Sequence, residues 1–193
     1  MGIAAPDVPS PPPPPPPIPL ALPFPPLLRP DLGLLLRPWG HPGDAAALAG
    51  AWADPDVARW NPVPDARSEA DAARWVAREG DRRDLGRAVD LVIAPPDHPE
   101  GVLGEVGLAL ADVERRWAEI GFWVLPSARG RGVASAAVVV FTNWALMDLP
   151  ITRLFARTSP DNPAASRVVE RAGYARAGKL GDGTLVWMRD ETD

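Results

Sequence analysis

A run of alternating arginine and glycine, Ala128–Ala137 (ARGRGVASAA), carries the clearest chemical signal in this sequence. It follows a short apolar stretch and precedes a long helical pattern, so it stands where a strand would pass into a helix. The first backbone N–H groups of a helix have no internal partner, and the helix dipole leaves partial positive charge there. Gly130 and Gly132 let a ligand oxygen approach the backbone closely. Arg129 and Arg131 add forked donors that suit phosphate. The pattern predicts a phosphate or pyrophosphate site, although a solvent-exposed turn has the same composition.

The composition excludes several kinds of chemistry. The chain contains no cysteine and two histidines, His41 and His98, both next to proline. Disulfides, thiolate metal sites and a cysteine nucleophile are therefore excluded. Two isolated histidines predict loop residues rather than metal ligands or a catalytic triad, and we expect no metal. The formal net charge of −5 disfavours a general nucleic-acid binder and favours a cationic substrate such as an amine.

The first 30 residues hold 14 of the 26 prolines, including the unbroken run Pro11–Pro17. Because proline lacks the backbone N–H and fixes φ, residues 1–30 predict an extended, largely disordered tail. One folded domain, 31–193, follows, and its fold is expected to begin near Leu27–Leu34. The proline-interrupted start, with no Lys or Arg before its apolar part, argues against a signal peptide. The sequence has no run of about 18 apolar residues that is free of prolines and charges, as a membrane-spanning helix would require. We therefore expect a cytoplasmic protein without a membrane span.

Hydrophobic periodicity and turn signals predict the element order β, α, α, β, β, β, α, β, α, β, β. Ser68 with Asp71 resembles a capping box at the start of the second helix. Asn162 before Pro163 predicts another helix start, and Gly173 ends that helix. The predicted strands lie at 31–40, 88–94, 102–110, 117–125, 151–158, 174–180 and 184–189, and the predicted helices at 44–54, 68–79, 132–149 and 162–172.

Three of these strands follow one another in the middle of the chain and predict an antiparallel meander. Pro126 ends the third strand, and the arginine–glycine run follows at once. The long helix after that run is predicted to bury a face that includes Val140, Trp144 and Met147.

Three features together resemble a GNAT-superfamily N-acetyltransferase: the order of elements, the RGRGVA run that opens the long helix, and the segment Asn162–Ser166 ahead of Gly173 and Tyr174. The segment Ala118–Pro126 (AEIGFWVLP) resembles the RimJ/RimL branch. The resemblance covers about residues 31–190. It implies an α+β fold with a mixed, mostly antiparallel central sheet, a splayed parallel strand pair and helices on both faces. It also implies acetyl-CoA as a co-substrate.

The family's phosphate-loop pattern, Gln/Arg-x-x-Gly-x-Gly/Ala, matches Arg129, Gly132 and Ala134. The resemblance implies that backbone N–H groups of this loop hold the pyrophosphate of acetyl-CoA. It also implies that the pantetheine arm lies between the splayed strands and that a backbone N–H near Val124 stabilises the oxyanion. Asn162 would lie near the pantetheine, a role compatible with a plain helix cap. The implied cofactor-binding residues are Trp123, Val124, Arg129, Gly130, Arg131, Gly132, Val133, Ala134 and Asn162.

Amine acylation by a thioester requires a group that accepts the proton of the amine. Glu119 is the leading candidate, because Glu119, Gly121 and Trp123 share one face of a strand and would place a carboxylate beside the amine. Glu105 in the preceding strand is the second candidate. Either carboxylate could instead be solvent-exposed, or could only attract a cationic substrate.

The sequence lacks the residue that resemblance to the family would imply as proton donor to the leaving thiolate. Many relatives have a tyrosine seven residues after the helix asparagine, where this sequence has Val169. Ser166 is near enough by spacing to substitute, although a serine there could equally bond to the backbone. Tyr174 is predicted to pack in the core. Trp60, Trp123 and Glu105 are the predicted residues of the substrate pocket.

Two functional hypotheses remain open. The first is an N-acetyltransferase acting on a protein N-terminus or a small-molecule amine by direct attack in a ternary complex. The second is a CoA-binding module that has lost catalysis, with the proline-rich segment as a docking site, and the missing tyrosine favours it slightly. We expect an amine-bearing small molecule or a protein N-terminus as partner, no nucleic acid, no membrane, and a monomer or homodimer.

Overall fold

Eight strands form a single sheet in the computed structural model, which describes residues 20–23 and 26–190. Numbered along the chain, they are β1 (Leu27–Arg29), β2 (Leu34–Pro38), β3 (Ala88–Ala94), β4 (Gly104–Asp112), β5 (Trp117–Val124), β6 (Arg153–Thr158), β7 (Ala175–Lys179) and β8 (Leu185–Asp190). Their spatial order is β1-β2-β3-β4-β5-β6-β8-β7. Every neighbouring pair is antiparallel except β5 with β6, which is parallel. The predicted α+β fold with a mixed, mostly antiparallel sheet is confirmed.

Helices cover both faces of this sheet. They are α1 (Asp44–Ala53), α2 (Pro55–Trp60), α3 (Glu69–Ala77), α4 (Glu79–Asp84), α5 (Val133–Asp148) and α6 (Pro163–Arg171). Strand β3 shows how the faces are divided, because successive side chains of a strand point to opposite sides. Val89, Leu91 and Ile93 pack in the core that contains Phe141 of α5. Val92 and Ala94 pack on the other side with Trp52 of α1.

A buried ion pair fixes the start of α1. Arg37 of β2 donates two hydrogen bonds to the carboxylate of Asp44, at 2.8 and 2.9 Å, and both side chains are almost fully buried. Asp44 also accepts from the backbone N–H groups of Gly40 and His41. The residues that follow, through α1 and α2, are thereby held on the sheet.

Two short helices, α2 and α4, are absent from the sequence prediction. Each has six residues, too few for a hydrophobic period to repeat. A local signal for α2 exists, since Asp54 caps it by accepting from Asp56 N–H and Val57 N–H, and Pro55 occupies its first turn. The predicted capping box of Ser68 with Asp71 at the start of α3 is present.

The sheet begins at Leu27, four residues before the predicted domain boundary at residue 31 and at the near end of the range Leu27–Leu34 in which the fold is expected to begin. Strand β1 pairs with β2 within the stretch predicted as a tail, and Leu20 is 2% exposed in the main core. Apolar leucines between the prolines provide a buried contact and an edge strand, which the proline count alone obscures. Residues 1–19, where most of the predicted disordered tail falls, lie outside the described part of the chain.

The sequence predicts burial for Tyr174 and for Met147, and only Tyr174 is buried in the structure. Tyr174 is buried as predicted, and its hydroxyl forms a 2.9 Å hydrogen bond with Thr142 of α5. Met147 was predicted on the buried face but is 82% exposed. It is the second-last residue of α5 and lies beyond the buried Trp144, at the very end of the helix.

Candidate active site

The parallel pair β5–β6 separates after a short contact. Only Trp117, Ala118 and Glu119 of β5 are paired with β6, although β5 continues to Val124. Beyond Glu119, a cleft with a volume of about 800 Å³ opens between the strands and extends to the start of α5. The predicted splayed strand pair is therefore present, and it brings much of the predicted site to one cavity.

The arginine–glycine run forms a tight connection into α5. Gly130 and Gly132 have φ of 71° and 79°, a left-handed conformation that glycine adopts readily. Gly132 is the N-cap of α5 and no side chain caps the helix, whose first backbone bond runs from Ala136 N–H to Gly132 C=O. The N–H groups at 133–135 thus have no partner within the described chain, and all three residues line the cleft. This geometry is that of an anion-binding helix start.

Arg129 does not have the free guanidinium that the sequence suggests. Its Nη2 donates to Asp54 at 2.6 Å, its Nη1 donates to Asp56 at 2.7 Å, and its Nε donates to the carbonyl of Val124 at 3.3 Å. Its backbone N–H donates to Pro126 C=O. The prediction that the Arg129 side chain adds positive charge for phosphate is corrected, because two carboxylates already neutralise it.

Arg131 also differs from the prediction. It is exposed, its Nη1 lies 3.5 Å from the carbonyl oxygen of Ser127, and it is not among the residues that line the cleft. The glycines aim the backbone at the cleft and leave this side chain on the outer side of the turn.

The backbone of β5 presents polar groups to the gap. Leu125 N–H donates to Leu103 C=O at 2.8 Å, which continues the β4–β5 ladder. Because hydrogen-bonding direction alternates along an antiparallel pair, the N–H and C=O of Val124 point away from β4, toward the cleft. The bond from Arg129 to the Val124 carbonyl agrees with this direction. Val124 therefore offers a backbone N–H at the cleft wall.

Glu105 lies behind β5 rather than in the cleft. It is opposite Trp123 in the β4–β5 register, and its Oε1 accepts from Trp123 Nε1 at 3.0 Å. Its Oε2 is buried on the side of the Trp39 indole. Burial raises the pKa of Glu105 to about 8, and the neighbouring Asp90 adds to the rise. The prediction of Glu105 as a substrate-pocket residue is corrected, whereas Trp123 does line the cleft.

Glu119 lies where the two strands separate and lines the cleft. Both of its carboxylate oxygens accept from Arg157 of β6, at 2.7 and 2.8 Å. The Glu119 side chain remains 29% exposed, and Arg157 is more exposed still. A carboxylate has lone pairs beyond those used by one guanidinium, so Glu119 retains the capacity to accept from an incoming amine.

Of the two predicted site residues near the start of α6, one lines the cleft and the other does not. Asn162 lines the cleft, and its Oδ1 caps α6 by accepting from Ala165 N–H at 3.1 Å. Ser166 is not among the lining residues, because its hydroxyl is bonded to that of Thr158 at 2.9 Å. Thr158 also accepts from Trp187 Nε1. The predicted direct contact of Ser166 with the leaving thiolate is thus corrected.

The end of α2 forms the opposite wall. Trp60 lines the cleft, and the guanidinium of Arg59 lies over its ring, 4.4 Å from the centroid. Sequence reasoning missed Asp54 and Asp56, although the Asp-Pro step before α2 is a helix-start signal that could have indicated Asp54. It also missed Arg157, for which no local signal exists.

Within 20–23 and 26–190, no helix is long and apolar enough to cross a bilayer. Over the same ranges, no group of three or more His, Cys, Asp or Glu side chains is arranged to hold a metal ion.

The splayed strand pair opens onto a glycine-preceded helix start that no side chain caps, so an anion-binding loop lies beside a gap between two strands. The family described as acetyltransferase (GNAT) domain matches residues 33–175. The chain therefore belongs to the GNAT acetyltransferases, and acetyl-CoA is its co-substrate.

Individual relatives agree with this assignment. The chain is 26% identical over 139 residues to the uncharacterized N-acetyltransferase p20 of Bacillus licheniformis, which covers 72% of this chain and 78% of that protein. Among solved structures, RimJ of Mycobacterium smegmatis in complex with CoA-disulfide aligns with a TM-score of 0.70 at 22% identity, over 81% of each chain. Spermidine N-acetyltransferase of Vibrio cholerae, in complex with CoA and spermine, aligns with a TM-score of 0.71 at 15% identity, over 83% of this chain and 96% of that one. The predicted family is confirmed, and a RimJ protein is among its structural neighbours.

Proposed function

We propose that this enzyme transfers the acetyl group of acetyl-CoA directly to a primary amine while both substrates are bound. One observation carries the proposal: β5 leaves β6 directly after Glu119, in front of the uncapped start of α5. A thioester arm in this gap would have its phosphates at the helix start and its acetyl group between the strands. An amine reaching the acetyl carbon there needs no covalent enzyme intermediate, which suits a chain without cysteine.

In this proposal, backbone N–H groups rather than side chains hold the pyrophosphate. Those of Gly130 to Ala134 surround the helix start, where the two left-handed glycines allow close approach. Asn162 and Trp123 flank the pantetheine arm, and the N–H of Val124 stabilises the oxyanion as the amine attacks. Arg129 takes part by holding this loop against α2, through its bonds to Asp54 and Asp56.

Glu119 is the proposed acceptor of the amine proton. Its carboxylate is held by Arg157 at the point where the strands part, beside the position proposed for the acetyl group. Ser166 does not line the cleft, but its hydroxyl contacts that of Thr158, which does. In this proposal Ser166 can therefore contribute a proton to the leaving thiolate only through Thr158. These contacts support Glu119 rather than Glu105 as the proposed proton acceptor, and in this proposal Ser166 acts only indirectly.

The acceptor is proposed to enter past Trp60, on the α2 side of the cleft. A protein N-terminus and a small amine both fit the reaction, and structural neighbours include a RimJ protein and a spermidine N-acetyltransferase. Asp56 of α2 and Glu119 of β5 are acidic residues that line the cleft, although each is paired with an arginine. A neutral amine formed next to Glu119 is the reacting species in either case.

The decisive experiment measures thiol release from acetyl-CoA with a panel of polyamines, small amines and peptides with free N-termini. Because the protein has no cysteine, a thiol-reactive dye reports CoA without background from the enzyme. We expect release with at least one amine, and intersecting lines in a two-substrate initial-rate plot. Binding of acetyl-CoA with no amine-dependent release would contradict catalysis and favour the CoA-binding module.

A further inference from the structure

Two arginines of the cleft wall have no hydrogen-bond or ion-pair partner among the described residues. The arginines that line the cleft are Arg59, Arg129, Arg157, Arg167 and Arg171. Arg129 and Arg157 are held in ion pairs, and Arg59 lies against the ring of Trp60. In the part of the chain that the structure describes, Arg167 and Arg171 form neither a hydrogen bond nor an ion pair, and both are exposed. Two unneutralised guanidinium groups therefore face a cavity that binds an anionic cofactor.

These two arginines form one stripe on α6. They are four residues apart and therefore on the same helix face, about 6 Å apart along the axis. Ala164 and Val168, which also line the cleft, belong to the same stripe. Because α6 packs against α5, the stripe runs beside the helix that begins at the phosphate loop. Both arginines line the same cleft as the phosphate loop, and because they are one turn apart their guanidinium groups can contact a single anion there.

The cofactor has one phosphate that the loop does not take up. CoA carries a pyrophosphate and, on the adenosine ribose, a separate 3′-phosphate that is joined to it through only a few covalent bonds. A phosphomonoester has a charge near −2 at neutral pH, more than neutral backbone donors alone would balance. Arginine binds such a group with two parallel hydrogen bonds.

We propose that Arg167 and Arg171 form a subsite for the 3′-phosphate of CoA. The proposal rests on the proposed position of the pyrophosphate at residues 130–134. It assigns to α6 the discrimination between CoA and dephospho-CoA, which differ only in this phosphate. Solvated surface arginines would instead leave the two ligands with equal affinity.

The test is calorimetric titration of the full chain with CoA and with dephospho-CoA, at one low and one moderate salt concentration. We expect the unaltered protein to bind CoA about tenfold or more tightly than dephospho-CoA, since dephospho-CoA lacks the phosphate that would accept the charge-assisted hydrogen bonds of the two arginines. The preference should shrink as salt rises. In the double variant Arg167→Ala/Arg171→Ala, CoA should bind with the affinity of dephospho-CoA, and the affinity for dephospho-CoA should stay unchanged.

Arg176→Ala provides a matched control, because Arg176 is an exposed arginine of β7 that does not line the cleft. It should keep the full preference for CoA. Equal binding of CoA and dephospho-CoA by the unaltered protein, or a preference that survives in the double variant, would overturn the subsite. If the unaltered protein binds neither CoA nor dephospho-CoA, the result contradicts the proposed pyrophosphate site at residues 130–134 as well as the subsite.

Discussion

Arg129 Nη2 donates to Asp54 Oδ1 at 2.6 Å, and this contact joins the phosphate loop to the helix on the opposite wall of the cleft. Asp54 is also the N-cap of α2, because its side chain accepts from Asp56 N–H and Val57 N–H. These bonds lower the pKa of Asp54, the backbone bond from Val57 most and the bond from Arg129 next. α2 ends at Trp60, so the contact connects the cofactor side of the site to the acceptor side.

The first prediction tests this connection with the double variant Asp54→Asn/Asp56→Asn. Asparagine is also a good N-cap, so α2 should form while the ion pairs to Arg129 are lost. We expect KM for the amine to rise several-fold, affinity for acetyl-CoA to change little, and stability to fall by about 1 kcal/mol or less, because the pairs are partly exposed. Steady-state kinetics with the best amine of the panel, together with urea unfolding, measure these quantities. A larger loss in acetyl-CoA affinity than in amine KM would assign Arg129 to the cofactor instead.

The same contact shows where sequence reasoning reaches its limit. The glycines and the helix start that follows them are local properties, and the sequence predicts a helix from about residue 132 with a closely approachable backbone before it. The partners of Arg129 lie 73 and 75 residues away, so its neutralisation depends on the tertiary fold. The Glu119–Arg157 pair spans 38 residues across the parallel strands and is equally nonlocal. Residue types therefore predict the cofactor loop, whereas the charge that each side chain presents to the cleft follows only from packing.

The second prediction concerns the loop backbone. Gly132→Glu should abolish CoA binding, because it places bulk and negative charge at the pyrophosphate position and strains a residue with φ of 79°. Gly43→Glu is a matched control, since Gly43 also precedes a helix with positive φ and does not line the cleft. We expect the control to share the loss of stability, roughly 1–2 kcal/mol, and to retain CoA affinity in calorimetry. Unchanged CoA affinity in Gly132→Glu would refute the loop assignment.

The third prediction separates the carboxylate of Glu119 from its ion pair. Glu119→Gln and Arg157→Met both remove the pair, but only the first removes the proton acceptor. We expect Glu119→Gln to lower kcat about 100-fold or more, with little effect on acetyl-CoA affinity, and Arg157→Met to lower kcat far less. Rates measured from pH 6 to 9 at saturating amine make the comparison. Equal losses in the two variants would mean that the ion pair, and not the base, is what catalysis requires.

The fourth prediction concerns the buried carboxyl group of Glu105, behind Trp123. Its pKa in the folded protein is raised to about 8, whereas an unfolded glutamate titrates near 4.5. Between these values the folded state binds the additional proton, so the stability of the folded state falls as pH rises from about 5 to 8. Glu105→Gln keeps an acceptor for Trp123 Nε1 and removes the titration. The variant should therefore lose less stability than the unaltered protein over this range.

Urea unfolding of both proteins at pH 5, 6, 7 and 8 measures this difference. Asp90 also has a raised pKa, about 6, caused first by burial and opposed by the 2.8 Å ion pair with Arg82. It remains in both proteins, so its contribution cancels to the extent that the two carboxyl groups titrate independently. The gap between the two stability curves should widen steadily toward pH 8, with Glu105→Gln the more stable there. Parallel curves would mean that Glu105 is ionised throughout and that water reaches its Oε2 atom.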